Sequence, residues 1–363
     1  MKDTYVVIPA LEPPQKFYDY LRELTAVEQI KVIVIDDGSG DTYRPFFQSV
    51  EAFDNCVVLT HPENRGKGQA LKTAFAYLQG LKLQEISIVC ADCDGQHTIK
   101  DIRRMAKEVQ EHPGSMVLGE RQFDREDIPW KSRFGNRVSS FFFWLSGGLW
   151  VKDTQTGLRA FDESLLPFLL EVPGERFEYE MQALKCCLEQ HVPIHMIDIE
   201  TIYENENQGT HFHPIKDSIR VMSVLFRQLA SFVLSSLGSA IFDLVLFLIF
   251  LHGVYRILGV SQAWIIAAST VTARIGSVGL NYYLNRHFVF QAKKKQGQTR
   301  IGRYLCLCVF IMLSSAALVT IFCQKFHTPA GITKVVVDSL LFVVSYQAQK
   351  RWVFREKGKT DEV

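Results

Sequence analysis

Apolar runs at residues 4–9, 30–35, 56–60, 86–90 and 115–119 alternate with helix-patterned stretches near 14–27, 41–53, 66–82 and 98–111. Such runs are too short for helices and unbroken by polar positions, as strands buried on both faces are, and their alternation with helices is the β-α-β rhythm of a parallel sheet. Beyond residue 228 the pattern changes. Four apolar segments, near 229–251, 258–283, 303–324 and 330–349, are each long enough to cross roughly 30 Å of hydrocarbon at about 1.5 Å per helical residue. The pattern therefore predicts an α/β domain followed by an all-α, four-helix transmembrane domain. Buried soluble helices are the weaker alternative, and Arg274 and Lys334 leave the limits of the second and fourth segments open by several residues.

Charge sharpens this division. The whole chain has a formal net charge of +1, yet residues 229–363 hold 15 Lys+Arg against 5 Asp+Glu, which leaves 25 against 34 for residues 1–228. An acidic soluble part thus precedes a basic apolar one. Met1-Lys2-Asp3-Thr4 runs directly into the first strand, without the apolar stretch of a secretory signal, so the first domain is expected in the cytosol. The cysteines at 56, 90, 93, 186, 187, 306, 308 and 323 lack the spacing of a disulfide framework and read as reduced packing residues. Cys90-x-x-Cys93 admits a redox reading, but it straddles an acidic motif at a strand end.

That motif is the most informative stretch of the chain. Ala91-Asp92-Cys93-Asp94-Gly95-Gln96-His97 follows the strand Ile86–Cys90. In an extended segment, positions i, i+2 and i+4 share one face, so Asp92, Asp94 and Gln96 could offer hard oxygens to one Mg²⁺ or Mn²⁺. A solvated acidic turn is the commoner origin of a bare D-x-D. Ligands of parallel sheets sit beyond the carboxyl ends of the strands, and that edge also carries Pro9-Ala10-Leu11-Glu12 and Asp36-Asp37-Gly38-Ser39. Asn64-Arg65-Gly66-Lys67-Gly68 then opens a helix with glycines and two cations, which suits close approach to phosphate oxygens, though without the spacing of a P-loop. His211 and His213 resemble a metal pair but fall in a polar loop.

In the apolar part, cations gather before the first segment, between the second and third, and after the fourth, which by the positive-inside rule puts both termini in the cytosol. Residues 281–290 resemble residues 345–354, an internal repeat that pairs the crossings into two hairpins of the same orientation. Asp243, Arg274 and Asp338 are ionisable groups at membrane depth, expected either as structural ion pairs or along a polar path. Residues 214–228 mix apolar and basic positions as an interfacial helix does.

Taken in order, Ile8-Pro9-Ala10, Ile35-Asp36-Asp37-Gly38-Ser39, Asn64-Arg65-Gly66-Lys67-Gly68, Asp92-x-Asp94-x-Gln96-His97, Gly119-Glu120-Arg121, Arg133-Phe134-Gly135-Asn136-Arg137 and Asp153-Thr154-Gln155-Thr156-Gly157-Leu158-Arg159-Ala160-Phe161 resemble the inverting GT-A glycosyltransferases of the dolichyl-phosphate mannose synthase and bacterial polyprenyl-phosphate sugar synthase type. Residues 229–354 resemble a GtrA-type membrane domain. The resemblance implies a Rossmann-like GT-A domain at 1–213, a juxtamembrane amphipathic helix at 214–228, a transmembrane domain of two helical hairpins at 229–354 and a cytosolic tail at 355–363. It implies a hexosyltransferase taking UDP-glucose, UDP-N-acetylglucosamine or GDP-mannose as donor and polyprenyl phosphate as acceptor. Pro9, Ala10, Glu12, Asp36, Asp37, Lys67 and Asp92 would hold the nucleotide sugar. Asp92, Asp94 and Gln96 would hold Mg²⁺ or Mn²⁺, and Arg121, Arg133, Arg137 and His211 the acceptor phosphate. Asp92, Asp94, Arg121 and Arg133 would carry catalysis. The expected partners are donor, lipid acceptor and bilayer, with a homo-oligomer left open and no nucleic acid.

Two departures from the family pattern stand out. Leu11-Glu12-Pro13 replaces the usual Asn-Glu after Pro-Ala, which leaves the donor open, and Glu204 to Pro214 replaces a loop with an arginine, so that His211, His213 or Lys216 takes over its charge. Two other functions compete: a lipid-sugar flippase whose soluble half loads cargo, and a processive polysaccharide synthase. The second would need a Gln-x-x-Arg-Trp signature. Gln349-Lys350-Arg351-Trp352 is one residue short of it and follows the last crossing.

Overall fold

The computed structural model describes residues 3–121, 130–200, 216–254, 262–290, 297–326 and 329–354. The chain divides into two compact units, Met1–Phe226 and Arg227–Val363.

The first unit is an α/β domain. Its strands are β1 (Thr4–Ala10), β2 (Ile30–Asp36), β3 (Cys56–Thr60), β4 (Ser87–Cys90), β5 (Met116–Arg121), β6 (Arg159–Asp162) and β7 (Ile194–Ile199), and they form one sheet in the order β3-β2-β1-β4-β6-β5-β7. The first four are parallel, as the rhythm of the sequence predicts. β6 runs antiparallel to both of its neighbours, so the sheet is mixed rather than wholly parallel. Only four residues long, β6 offers too short a pattern to be read from sequence.

Alternation along each strand divides the core in two. Val7, Ile33 and Ile35 point into one layer with Leu71, Phe75 and Leu78 of α3 (Lys67–Gly80). Val6, Ile8, Val32 and Val34 point into the other, with Leu21 and Leu24 of α1 (Lys16–Thr25), Val50 of α2 (Arg44–Glu51) and Ile102, Met105 and Val109 of α4 (Ile99–Glu111). Helices thus cover both faces, and the carboxyl ends of the strands stay open for chemistry. The start of α4 is fixed by a reciprocal cap. The Thr98 hydroxyl accepts the Asp101 N–H at 3.0 Å and donates to the Asp101 carboxylate at 2.8 Å. Three further helices, α5 (Trp130–Gly147), α6 (Leu166–Glu171) and α7 (Glu178–Glu189), complete the unit.

The expected juxtamembrane helix and first crossing form one uninterrupted helix, α8 (Lys216–Ile249), and the boundary between the units falls within it. Nothing between residues 216 and 249 breaks a helix, since the stretch has no proline and its lone glycine, Gly238, is tolerated there. With α9 (Gln262–Leu284), α10 (Gly297–Phe326) and α11 (Ala330–Ala348), it gives the four expected helices. Three of them, spanning Asp217–Gly253, Arg300–Phe326 and Gly331–Val353, are long and apolar enough to cross a membrane. α9, with Ser269, Thr270, Thr272, Arg274 and Ser277, is the more polar one.

The internal repeat has a structural counterpart in the second unit. α9 and α11 each run into a π turn, Asn285–Val289 and Gln349–Val353, closed by the N–H of the phenylalanine that follows, donating to the Asn285 or Gln349 carbonyl at 2.8 Å. Equivalent residues meet each other: Asn285 Nδ2 donates to Gln349 Oε1 at 2.9 Å, and the Phe290 and Phe354 rings stack at 5.1 Å. Contacts on either side are reciprocal, with Tyr282 against Tyr304 at 5.3 Å and Tyr346 against Phe232 at 5.2 Å. This is the arrangement of two hairpins related by an approximate two-fold axis. The equivalence extends to the ionisable groups. Asp243 faces Arg274 at 3.7 Å in one hairpin, and at the corresponding place in the other Ser315 donates to Asp338 at 2.6 Å, with Lys334 at 2.9 Å.

Asn285 is the centre of this arrangement. Fully buried, it also donates to Asn281 Oδ1 at 2.9 Å and accepts from the Ser235 hydroxyl at 2.7 Å. Replacing it by leucine would strand several polar groups, at about 1–3 kcal/mol for each one left unsatisfied. Asn285→Leu is therefore expected to lower the unfolding temperature of the detergent-solubilised protein by several degrees, whereas Leu313→Ala, on an exposed apolar face, should leave it nearly unchanged. Equal unfolding temperatures for Asn285→Leu and wild type would contradict this reading.

Candidate active site

The ends of β1 and β2 are tied together first. The Asp37 N–H donates to the Ala10 carbonyl at 2.9 Å, and the Glu12 N–H donates to the Ser39 hydroxyl at 2.8 Å. Glu12 has φ +44°, a conformation that side-chain-bearing residues seldom adopt. Pro9 and Ala10 thus close β1 beneath the expected nucleotide site. Asp36 accepts the Ser39 N–H at 2.9 Å. Asp37, expected to touch nucleotide, turns to the protein instead: its carboxylate accepts the Arg65 N–H at 2.9 Å and the Gly66 N–H at 2.8 Å, and His61 Nδ1 stands 2.7 Å away. The residue holds the glycine loop in place.

The glycines of that loop also have a different reason than the expected one. A Cβ on Gly66 would lie 2.5 Å from Arg176 Cγ, and one on Gly68 would lie 2.5 Å from Tyr179 Cβ. Close approach is thus to the chain's own segment 175–179, reinforced by the Gln69 N–H donating to the Glu175 carbonyl at 2.8 Å. The consequence is a half-buried charge cluster. Lys67 Nζ lies 2.7 Å from Asp92 Oδ1 and 2.9 Å from Glu180 Oε1. Glu180 is a buried partner of Lys67. Burial works against the ammonium, but Asp92 and then Glu180 outweigh it and raise the Lys67 pKa.

Residues 91–97 are not extended. Gly95 has φ +72°, and the Gln96 N–H folds back to Asp94 Oδ1 at 3.0 Å, so the motif is a turn and its carboxylates are brought together by that turn rather than by strand pleating. The two acids differ in electrostatics. Burial would raise Asp92, but Lys67 and then His97, whose Nε2 is 3.5 Å from Oδ2, hold it well below the usual carboxylate range. Asp94 is raised, first by burial and then by the neighbouring Asp92. Among the described residues no cationic side chain forms an ion pair with Asp94. Burial, helped by Glu180, pushes the Cys90 thiol up to about 12, and burial with Asp92 and Asp94 does the same to Cys93. Both thiols stay protonated near neutrality, which removes the redox reading of this pair.

Segment 152–159 joins the remaining residues to this turn. Arg121 grips the fully buried Asp153 with a two-point fork, Nε to Oδ2 at 2.6 Å and Nη2 to Oδ1 at 3.1 Å. The expected phosphate ligand Arg121 is therefore engaged in an internal pair. α5 is stitched to the same segment: Asn136 Nδ2 donates to the Lys152 carbonyl, and the Ser139 and Thr154 hydroxyls meet at 2.7 Å. Arg133, half-buried, and Arg137, exposed, lie on this helix within one turn of Asn136. Arg159 anchors the far end, donating to the Thr156 carbonyl at 3.0 Å and to the Glu180 carbonyl. Gly157 then abuts the acidic turn so closely that a Cβ would lie 2.6 Å from Asp92 Cγ. His211 and His213 lie outside the described residues.

A sheet edge that gathers acids, a buried lysine and an arginine-bearing helix is the type of site that handles phosphates. Residues 5–167 match the model of glycosyl transferase family 2, and residues 231–354 match that of the GtrA/DPMS transmembrane domain. An uncharacterized protein of Methanocaldococcus jannaschii is 30% identical over 207 residues, covering 55% of this chain and 82% of the relative. The UDP-N-acetylglucosamine–dolichyl-phosphate N-acetylglucosaminyltransferase of Methanococcus voltae is 28% identical over 218 residues, 55% of this chain and 85% of that protein. An undecaprenyl-phosphate 4-deoxy-4-formamido-L-arabinose transferase of Pseudomonas paraeruginosa is 26% identical over 172 residues, 46% of this chain and 48% of the relative. The chain belongs to glycosyl transferase family 2 and carries its catalytic domain on a GtrA/DPMS membrane domain.

Gly157 gives a sharp test of this geometry. Gly157→Ala should displace Asp92 and so remove nucleotide binding, measured by calorimetric titration with nucleoside diphosphates, while circular dichroism still reports a folded protein. Gly40→Ala, at a glycine with nothing within 4 Å of an added Cβ, is a poor control because its φ of +82° strains any side chain. Gly80→Ala, in open space at the end of α3, is the better one and should bind normally.

Proposed function

We propose that this glycosyltransferase moves one hexose from a cytosolic nucleotide sugar to polyprenyl phosphate at the cytoplasmic leaflet, with inversion at the sugar carbon. The observation that carries this reading is segment 152–159, which ties the acidic turn, through Gly157, to the arginine helix α5. The names of the Methanococcus and Pseudomonas relatives, which specify dolichyl and undecaprenyl phosphates as acceptors, support the acceptor class. The donor is UDP-glucose, UDP-N-acetylglucosamine or GDP-mannose.

A lipid phosphate is already anionic near neutral pH, so the acceptor needs orientation and charge screening more than removal of a proton. One of its oxygens forms the new bond to the anomeric carbon as the bond to the nucleoside diphosphate breaks, and a single displacement of this kind inverts the centre. Arg133 and Arg137 offer planar, permanently charged forks for the acceptor phosphate. Arg121 acts at one remove, by fixing Asp153 and with it the segment that abuts Asp92. Asp36 and Glu12 border the nucleoside side of the cleft, and Lys67 supplies a cation to the diphosphate.

The acidic turn suits a divalent cation. Lys67 compensates Asp92 and Glu180, but Asp94 is raised by burial and by Asp92, a surplus of carboxylate that a hard cation would relieve. Asp92 and Asp94, with Gln96 beside them, would hold Mg²⁺ or Mn²⁺, and such an ion would supply positive charge to the departing diphosphate. The cations Arg286, Arg300, Arg303, Lys350 and Arg351 flank the ends of α9, α10 and α11, and by the positive-inside rule that end, both termini and the catalytic domain face the cytosol.

Asp94→Ala should abolish transfer of labelled sugar to undecaprenyl phosphate in detergent, and full activity would remove the assignment of this turn. Arg133→Ala should instead raise the KM for the lipid acceptor by roughly tenfold or more, the value of a charge-assisted contact of about 1.5–3 kcal/mol, with the KM for the nucleotide sugar little changed. An effect confined to the donor's KM would move Arg133 to the other substrate.

A further inference from the structure

The opposite end of the sheet carries a second group of metal-ligating side chains. Glu108 and His112 lie one turn apart at the carboxyl end of α4, and His195 sits near the start of the edge strand β7, in register with Val117 of β5. One ligand atom from each, two imidazole nitrogens and a carboxylate oxygen, lies within 4.8 Å of the other two. His112 Nε2 is 3.3 Å from Glu108 Oε1, and the His112 and His195 rings lie 3.9 Å apart at 14°.

From these residues we propose a binding site for a borderline divalent cation, Zn²⁺ in the first instance, that pins edge strand β7 to α4. The donor set and its spacing favour it. Two imidazoles and one carboxylate form a donor set that suits zinc, copper or nickel and not the hard ions expected at an all-oxygen turn. A tetrahedral zinc with bonds of about 2.0–2.1 Å sets its ligand atoms about 3.4 Å apart, close to the 3.3 Å of the Glu108–His112 pair, and the His195 nitrogen lies within 4.8 Å of both. His112 is 42% exposed and Glu108 25%, which leaves an entry path and a place for a water ligand.

This site is separate from the acidic turn. The sheet register sets His195 level with Val117, Ala160 and Val89, three residues before Asp92 or roughly 10 Å along the strand direction, and β7 stands three strand spacings from β4, roughly 14 Å across the sheet. Its role is structural. Among the described residues β7 is the last strand of the sheet, held on one side only, and α4 already reaches it through Arg104 Nη1 donating to the Asp198 carbonyl at 3.0 Å and Glu200 N–H donating to Asp101 at 3.1 Å. A metal at the other end of the strand would fix its whole length.

The full chain in detergent, stripped with a chelator and kept in excess Mg²⁺ to occupy hard-ligand positions, is titrated calorimetrically with Zn²⁺ while its unfolding temperature is followed. We expect a single zinc equivalent and an upward shift in unfolding temperature in the wild type, with both lost in His195→Asn and in Glu108→Gln. X-ray absorption of the zinc-loaded wild type, which requires no variant, should report two imidazole nitrogens. Zinc binding and a temperature shift that persist in folded His195→Asn would place the ion elsewhere, at His211 and His213 for example, and overturn the proposal. So would the absence of zinc binding to the wild type, or a spectrum with fewer than two imidazoles.

Discussion

The contact between Lys67 and Asp92 is the constraint on which the catalytic domain depends. It places a cation between two carboxylates, half-buried Asp92 and buried Glu180, and it does so because Gly66 and Gly68 let α3 begin directly against segment 175–179. Each surrounding feature serves to hold this cluster: Asp37 fixes the loop before α3, Arg159 fixes the segment between α5 and β6, and Gly157 seats that segment on Asp92. The ion cluster and the residues proposed to handle the diphosphate are therefore the same set.

In the membrane unit the corresponding constraint is polar rather than ionic. Asn285 and Gln349 are equivalent members of a repeat and bond to each other where the two hairpins meet, and the stacked Phe290 and Phe354 repeat the relation one π turn later. In hydrocarbon, apolar surfaces gain little from meeting each other, so hydrogen bonds and close packing decide how helices associate. The halves are not identical. Where one places Asp243 opposite Arg274, the other places Ser315 opposite Asp338, so duplication kept the geometry while the charges diverged.

Much of the fold was legible because periodicity depends on local pattern. The first five strands, the helices between them and the four helices of the second unit follow from runs of apolar residues. β6 and β7 did not, since Arg159–Asp162 is short and its antiparallel insertion is decided by partners far away in sequence. The acidic turn was found by its residues but with the wrong local geometry, since the expected pleat is replaced by a left-handed glycine at 95. The partners of charged side chains were the least legible. Nothing local distinguishes Arg121, locked to Asp153, from Arg133, and nothing near Glu180 announces a lysine more than a hundred residues earlier. A signal did exist for Asp37, in the clustering of acids and turn formers around a strand end, but it pointed to ligand and the structure directs the carboxylate to the loop.

The account stands or falls on whether the carboxylates gathered around Lys67 form a place for a diphosphate and its counter-cation. Calorimetric titration of the full chain in detergent with UDP and with GDP, run with Mg²⁺ and again with the chelated protein, addresses this directly. The account predicts that one of the two nucleotides binds with Mg²⁺ present, that binding weakens at least tenfold without it, and that Asp92→Asn removes the dependence on the cation. Equal affinity with and without the cation, in a protein whose Asp92→Asn form binds just as well, would contradict it.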